Sequence, residues 1–475
     1  MKPITFEITL TDEIFASRAG LALVGRLLGR TPLRRRLDAL SVSGVSKPVI
    51  SHGEVGLSML GLLCLARPDF SAIEDEEPAE LLSLGLGLDA LPSEETLRQR
   101  LDQIGAGCLT ESLAIVRECS AALVGSSAPA ITPCLEHGKG KTRRRWVALD
   151  IDVSPFDNSN TNKQGVSRTY KGFDGYAPIF AYLGQEGYLM NIELREGSQH
   201  CQNGTVAFMR QTLDQTQSIM QATQRDASLL VRLDAGNDDL ENVELCRKAK
   251  GVDFIIKRNL RRENVDEWLE IAVAHGTRDQ PREGKTVWRG DHWLQRDDQT
   301  YRVVFEVTER TIDKHGQQLL VPDVQINTWW TSLPPTKVPA SQVIELYHQH
   351  GTSEQFHSEL KSDLDLERLP SGKFNTNALV LGLGMLAYNA LRLIGQCALD
   401  EDKKLPPDQK PPLKRVAKCG HKPRMKRRRL RRVIQDLMYL SAKLVRTGRR
   451  WCLRLSRCNP WSVVCRALYL RLTPV

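Results

Sequence analysis

The sequence predicts an α/β chain: short strands alternating with helices, then a β-rich block, with helical regions at both ends. Three observations predict it. Short apolar runs that end in acids alternate with helical stretches between residues 146 and 260; the period becomes two between about 285 and 335; residues 1–124 and 340–400 keep helical spacing. With 475 residues the chain exceeds one ordinary core, and 41% apolar with 26% charged residues is the balance of a soluble globular protein.

Residues 1–124 read as a helical N-terminal domain. Ser93 is placed to cap a helix whose first turn carries Glu94 and Glu95 near the positive end of its dipole, and Leu97, Leu101 and Ile104 follow as one buried stripe. A small DNA-reading module and a plain helical bundle both fit. Residues 125–145 are a linker, with loop composition in Gly125-Ser126-Ser127-Ala128-Pro129 and a stretch rich in Gly, Lys and Arg after His137.

Residues 146–260 are the first part of a core. The apolar run 146–153 is broken by Asp150 and Asp152, two apart and so on one face of a strand. Residues 176–184 and 188–194 are strands joined by the hairpin-like Gln185-Glu186-Gly187. Residues 205–223 form a helix, and 229–234 a strand that ends in Asp234 and is turned at once by Ala235-Gly236-Asn237. A helix over 241–249 and a strand over 253–257 follow. Residues 261–339 are a β-rich block, where Tyr301, Val303, Phe305 and Val307 alternate with their neighbours; 340–400 return to helix. The apolar run 378–390 holds Asn389 and is shorter than the ~20 residues of a membrane span, so it reads as a buried helix.

The net charge of +9 is concentrated. Between Lys414 and Arg457 there are 17 Lys and Arg against one acid, Asp436, leaving −7 for the rest of the chain. Residues 401–475 are therefore a basic helical C-terminal region whose natural partner is a polyanion, nucleic acid before membrane, with Arg427, Arg428, Arg429, Arg431 and Arg432 as its densest run. Eleven scattered cysteines without a C-x-x-C pair argue against a disulfide framework and a zinc module, and for a reducing cytoplasm. The start of the chain shows no secretory leader pattern.

Strand C-terminal ends are where open α/β sheets place functional groups, so Asp152 and Asp234 are candidates to meet across neighbouring strands. Tyr347, His350, Glu354 and Lys361, spaced by 3, 4 and 7, share one face of a helix over 340–365. In-line displacement at phosphorus wants hard cations held by carboxylate oxygens, and three acids suffice; a basic residue farther along the helix would meet flanking phosphates. Glu359, Asp363 and Asp365 read as solvated or capping acids. Trp288, Trp293, Trp329 and Trp330 of the β-rich block read as the core of a small β-domain, or alternatively as a surface on which a base stacks.

These residues resemble a family. Tyr347-x2-His350-x3-Glu354-x6-Lys361 is similar to the tyrosine–arginine–glutamate–lysine signature of the DDE transposases of bacterial insertion sequences; 149–154 and 232–236 resemble their two aspartate strands. Asp152 rather than Asp150 matches the first aspartate, because Ser154 follows at the family spacing. His350 departs from the pattern, since the family usually has Arg there and an imidazole lacks the bidentate fork. The resemblance implies a ribonuclease-H-like mixed sheet of five strands with flanking helices and a β-rich insertion over 261–339, and a metal-dependent transposase using two ions, Mg²⁺ or Mn²⁺. Asp152 would bridge them, while Asp234 and Glu354 each complete one. It implies phosphate contacts for Tyr347, His350 and Lys361, and double-stranded DNA as partner: element terminal inverted repeats and target, held by a homodimer in the bacterial cytoplasm at the nucleoid. A silent transposase-derived DNA-binding protein and a metal-dependent endonuclease without strand transfer are the alternatives.

Overall fold

A ten-stranded mixed sheet runs through residues 116–389, one of two units into which the chain divides; the other joins residues 1–115 to 390–475. The computed structural model describes residues 11–42, 48–75, 79–127, 131–223, 226–260, 263–296, 298–404, 406 and 427–473.

Nine strands of the sheet are β1 (Arg144–Val153), β2 (Ile179–Leu183), β3 (Tyr188–Glu193), β4 (Ala227–Leu233), β5 (Val252–Lys257), β6 (Thr277–Arg282), β7 (Lys285–Arg296), β8 (Gln299–Ile312) and β9 (Gln318–Thr331). Their order is β6-β7-β8-β9-β5-β4-β1-β2-β3, and the tenth, Leu135–His137, also pairs with β1. β1, β4 and β5 are parallel; every other pairing is antiparallel. Such central parallel strands are covered on both faces, so their sequences are nearly continuous apolar runs. Trp146–Leu149 and Leu230–Leu233 are buried throughout, the latter including Arg232.

The helix Ala340–His348 lies on this sheet. Its Val343, Ile344 and Leu346 join Trp146, Leu230, Ile255, Val304 and Trp329 in one core. The helix Thr205–Thr223 packs by β3, where Asn191 Nδ2 donates to Thr212 Oγ1 at 3.0 Å. The apolar run holding Asn389 belongs to the helix Phe374–Lys404; its most apolar stretch is long and apolar enough to cross a membrane and is wholly buried. Asn389 explains its own place in that run. Its side chain accepts from the Leu189 N–H at 2.9 Å and donates to the Leu189 carbonyl at 2.6 Å, satisfying backbone of the edge strand β3.

The β-rich block does not form a separate small domain. β9 pairs with β5 (Ile256 opposite Trp330), and β8, β7 and β6 follow, so the insertion extends the central sheet. Trp288, Trp329 and Trp330 are buried there, whereas Trp293 is 52% exposed.

In the other unit, helices Leu21–Leu28, Leu33–Asp38, His52–Cys64, Ala79–Leu86 and Glu94–Gly107 make the described residues up to 115 largely helical. Ser93 caps as predicted, its hydroxyl accepting from the Thr96 N–H at 3.3 Å, and Leu97, Leu101 and Ile104 are buried. The C-terminal region departs from the helical expectation. Ala442–Thr447 and Arg450–Leu455 form a hairpin turned at Gly448 (φ +59°), and Ile14–Ala16 adds a third strand. Val445, Thr447 and Trp451 favour strand, but the interleaved Arg446, Arg450 and Arg454 hide their pattern among basic residues. The two ends of the chain are thus joined: the Ala19 N–H donates to the Leu440 carbonyl at 3.0 Å, and Arg26 Nε to the Tyr469 hydroxyl at 2.9 Å.

Candidate active site

The site is built on β1 and β4. These parallel neighbours pair Ile151 with Leu233, so the next residue on each is an aspartate, Asp152 on β1 and Asp234 just past β4. Adjacent strands lie about 4.8 Å apart, which puts the two acids side by side at the C-terminal ends. Their electrostatics bear this out. Burial, then the charge of Asp152, pushes the Asp234 carboxyl above its ordinary value. Neither forms an ion pair with a lysine or arginine among the described residues. The turn Ala235–Asn237 orients Asp234, whose Oδ1 accepts from Asn237 Nδ2 at 2.8 Å.

Asp150 is engaged elsewhere. It stands opposite Arg232 in register, and the guanidinium donates to both carboxylate oxygens at 2.6 and 2.7 Å. His350 Nδ1 adds a third contact at 2.9 Å, and Arg232 also donates to the Leu346 carbonyl at 2.6 Å. Asp150 and Arg232 are 2% and 4% exposed, so this network is internal structure and leaves Asp152, 21% exposed, as the accessible acid of β1. Burial alone would raise the Asp150 carboxyl, but the charges of Arg232 and His350 hold it below its ordinary value.

The helical segment expected over 340–365 is present but broken. Ala340–His348 is α-helical, Gln349–Thr352 a 3₁₀ turn, Ser353–Ser358 α-helical again and Glu359–Asp363 a π turn. A 3₁₀ turn advances the chain more per residue than an α-helix and a π turn less, so the four signature residues do not follow one uniform helical pitch. Tyr347 packs on Trp329 (ring centroids 5.6 Å apart); burial, then Asp234 and Asp152, push its phenol up. His350 is buried on Asp150, so the phosphate contact expected of it is corrected: its ring faces the core. Glu354 is exposed and makes no hydrogen bond or ion pair among the described residues. Instead His357, three residues on, reaches the site, its Nε2 3.2 Å from Asp152 Oδ2. Lys361 is half-buried, with Nζ donating to the Pro155 carbonyl and lying 5.5 Å over the Phe156 ring. Glu359 and Asp363, expected as solvated or capping acids, are buried within the π turn; Asp365 is exposed.

Among the basic candidates, Arg429, Arg431 and Arg432 are exposed and Arg427 is partly so. Arg428 is not a surface group: it is buried 3.8 Å over the Trp461 ring, pairs with Asp436, and its carbonyl accepts from Arg392 at 2.8 Å. The basic positions from Lys414 to Lys426 lie outside the described residues.

The model of the family "Transposase DDE domain group 1" matches residues 132–405, more than half of the chain. The chain belongs to that family. It is a DDE transposase, an enzyme of DNA transposition, and the matched span contains both aspartates and the broken helix. No curated protein matches it. Among solved structures it is similar to a cryo-EM structure of the piggyBac transposase synaptic complex with hairpin DNA. The identity is 10%, covering 79% of this chain and 74% of that chain, with a TM-score of 0.37.

DDE transposases generally use divalent metal ions. In this transposase the donor chemistry fits at Asp152 and Asp234: hard carboxylate oxygens, two negative charges side by side, and a glycine that keeps space open. A Cβ at Gly236 would come within 3.3 and 3.5 Å of the two Asp234 carboxylate oxygens. No group of three His, Cys, Asp or Glu side chains is gathered closely enough to hold an ion among the described residues.

Sequence reasoning missed three residues at the transposase site. Tyr170 is 68% exposed and donates to the Val153 carbonyl at 3.3 Å; burial of its phenol, then Asp152 and Asp234, push its pKa up. The Cys201 thiol donates to the Gly236 carbonyl at 2.7 Å beside Asp234. Both come from loops without periodicity. His357 did carry a signal, seven residues after His350, two helical turns on.

Proposed function

We propose that this transposase acts for a bacterial insertion sequence, hydrolysing the phosphodiester at the element's ends and transferring the freed 3′-hydroxyl to target DNA. Asp152, Asp234 and Glu354 would hold two Mg²⁺ or Mn²⁺ ions. The observation that carries this reading is the side-by-side placement of Asp152 and Asp234 at the ends of two parallel strands, with the charge of one felt by the other. Such ions, when bound, activate the attacking oxygen and stabilise the leaving one. Glu354 shares a helical turn with His357, which touches Asp152, and residues three apart on a helix are about 5–6 Å apart, which supports Glu354 as the third carboxylate. Lys361 and Tyr347 flank the acids, where phosphates on either side of the cut would lie.

The strands β3-β2-β1-β4-β5 support a ribonuclease-H-like reading, a five-stranded mixed sheet flanked by helices and extended by the insertion. Residues 1–124 and 401–475 are the proposed DNA-holding parts, with Arg427, Arg429, Arg431 and Arg432 set for phosphates of the terminal repeats. Two ends joined in one event call for a homodimer, working in the cytoplasm at the nucleoid.

The test is incubation with DNA fragments that flank the gene, a supercoiled target plasmid and Mg²⁺ or Mn²⁺. Nicked ends joined to the plasmid support the proposal. Hydrolysis without joining assigns an endonuclease instead, and binding without cutting a silent DNA-binding protein.

A further inference from the structure

The helical segment 353–358 carries two polar groups of different surroundings. Glu354, the residue the motif singles out, is exposed. His357, which no motif singles out, is 5% exposed and bridges two strands of the sheet. Its Nε2 lies 3.2 Å from Asp152 Oδ2 on β1, and its Nδ1 lies 3.3 Å from the Tyr182 hydroxyl on β2. Aromatic edges hold the ring in place: Phe180 at 4.8 Å and Tyr182 at 5.3 Å, both at steep angles.

We propose that His357 is a positioning residue for Asp152, fixed in turn by Tyr182, and that this relay aims the Asp152 carboxylate for a divalent cation. The inference rests on the metal-dependent reading above. A neutral imidazole has one donor and one acceptor nitrogen. With Nε2–H donating to Asp152, the Tyr182 O–H donates to Nδ1, and every group in the relay is satisfied. Asp152 Oδ1 meanwhile accepts from the Val153 N–H at 2.8 Å. Each carboxylate oxygen therefore has one donor and keeps a lone pair, so the group is held in a single rotamer with capacity left for a cation. Carboxylates that ligate metals are generally oriented by such outer contacts, and losing one typically costs roughly 10–100-fold in metal affinity or activity.

The geometry also separates His357 from a plain core residue. A core position among Phe180, Tyr182 and Phe356 needs only an apolar side chain of similar size, and the relay needs an N–H aimed at Asp152.

The experiment is Mn²⁺ titration of the full-length protein followed by electron paramagnetic resonance of free Mn²⁺, on wild type, H357L, H357Q, Y182F and D152N. The Leu variant keeps the packing and removes the donor; the Gln variant keeps an N–H within reach. The expected result is Mn²⁺ affinity weakened roughly 10–100-fold in H357L and restored to within a few-fold of wild type in H357Q. Y182F should lie between them, with circular dichroism unchanged in all. Mn²⁺ affinity in H357L equal to wild type, while D152N loses it, overturns the positioning role and leaves the metal reading standing. Mn²⁺ binding indifferent to D152N overturns both. Equal losses in H357L and H357Q also overturn the proposal, because they tie the effect to the imidazole's shape instead of to its N–H.

Discussion

Replacing Arg232 by Met tests whether the Asp150–Arg232–His350 network is the internal brace of the aspartate strands. Asp150 and Arg232 face each other in register, 2% and 4% exposed, joined by hydrogen bonds of 2.6 and 2.7 Å. Removing the cation leaves a buried carboxylate whose remaining charged partner is His350, and also strips the Leu346 carbonyl of its donor. Breaking a buried pair from one side costs about 3–5 kcal/mol, most of it from the charge left behind. Replacing both partners, as in D150L/R232M, leaves no orphaned charge and should recover most of that loss. Urea denaturation reads both, at pH 7 and across pH. The Asp150 carboxyl is held below its ordinary value, so its contribution is present above about pH 4 and lost as pH falls through the depressed value. Burial would lower His350, but Asp150 raises it on balance, so its contribution is present below about pH 6.5 and lost as pH climbs through the raised value. The fall in stability as pH rises above about 6.5 should vanish in H350Q. A loss under about 1 kcal/mol in R232M, or a double variant no better than the single one, refutes the brace.

Three further outcomes follow from the same geometry. Asp152→Asn, Asp234→Asn and Glu354→Gln should each abolish cleavage while gel-shift binding of the ends persists; full cleavage in any of them removes that residue from the site. Asp234→Asn should raise the melting temperature of the metal-free protein at neutral pH. Burial and the charge of Asp152 lift the folded carboxyl's pKa, which opposes folding above its ordinary value, and that opposition fades as pH falls; a lowered melting temperature contradicts this. Arg428→Ala should cost about 2 kcal/mol by losing a desolvated stack on Trp461 and the pair with Asp436, whereas Arg431→Ala should weaken DNA binding in a salt-dependent way and leave stability unchanged. Loss of DNA affinity without loss of stability in R428A reverses that assignment.

The parts of the fold written in local sequence were legible, and those set by long-range pairing were not. Strands β1, β4 and β5 announce themselves because parallel central strands must be apolar along their length, and the helix Thr205–Thr223 falls where its composition places it. Asp152 and Asp234 were readable for the same reason: an acid that ends an apolar strand is conspicuous. Asp150 was ambiguous until Arg232, two residues before Asp234, was seen to oppose it across the sheet. Nothing local says that β9 joins β5, since an antiparallel hairpin satisfies itself whether it stands apart or extends a sheet. The helix over 340–365 was read with one constant pitch, and a 3₁₀ turn at 349–352 followed by a π turn at 359–363 interrupts it. Gly351, which sits in that first break, was the available warning. Arg428 shows the limit of reading charge by density, because one guanidinium in a basic run can be the buried one.

The most direct measurement is anomalous scattering from Mn²⁺ in a crystal of the full chain bound to a DNA end. The account predicts anomalous peaks between Asp152 and Asp234 carboxylate oxygens, with the Glu354 carboxylate brought to one of them. Peaks elsewhere, or an occupied ion that ignores either aspartate, contradict it.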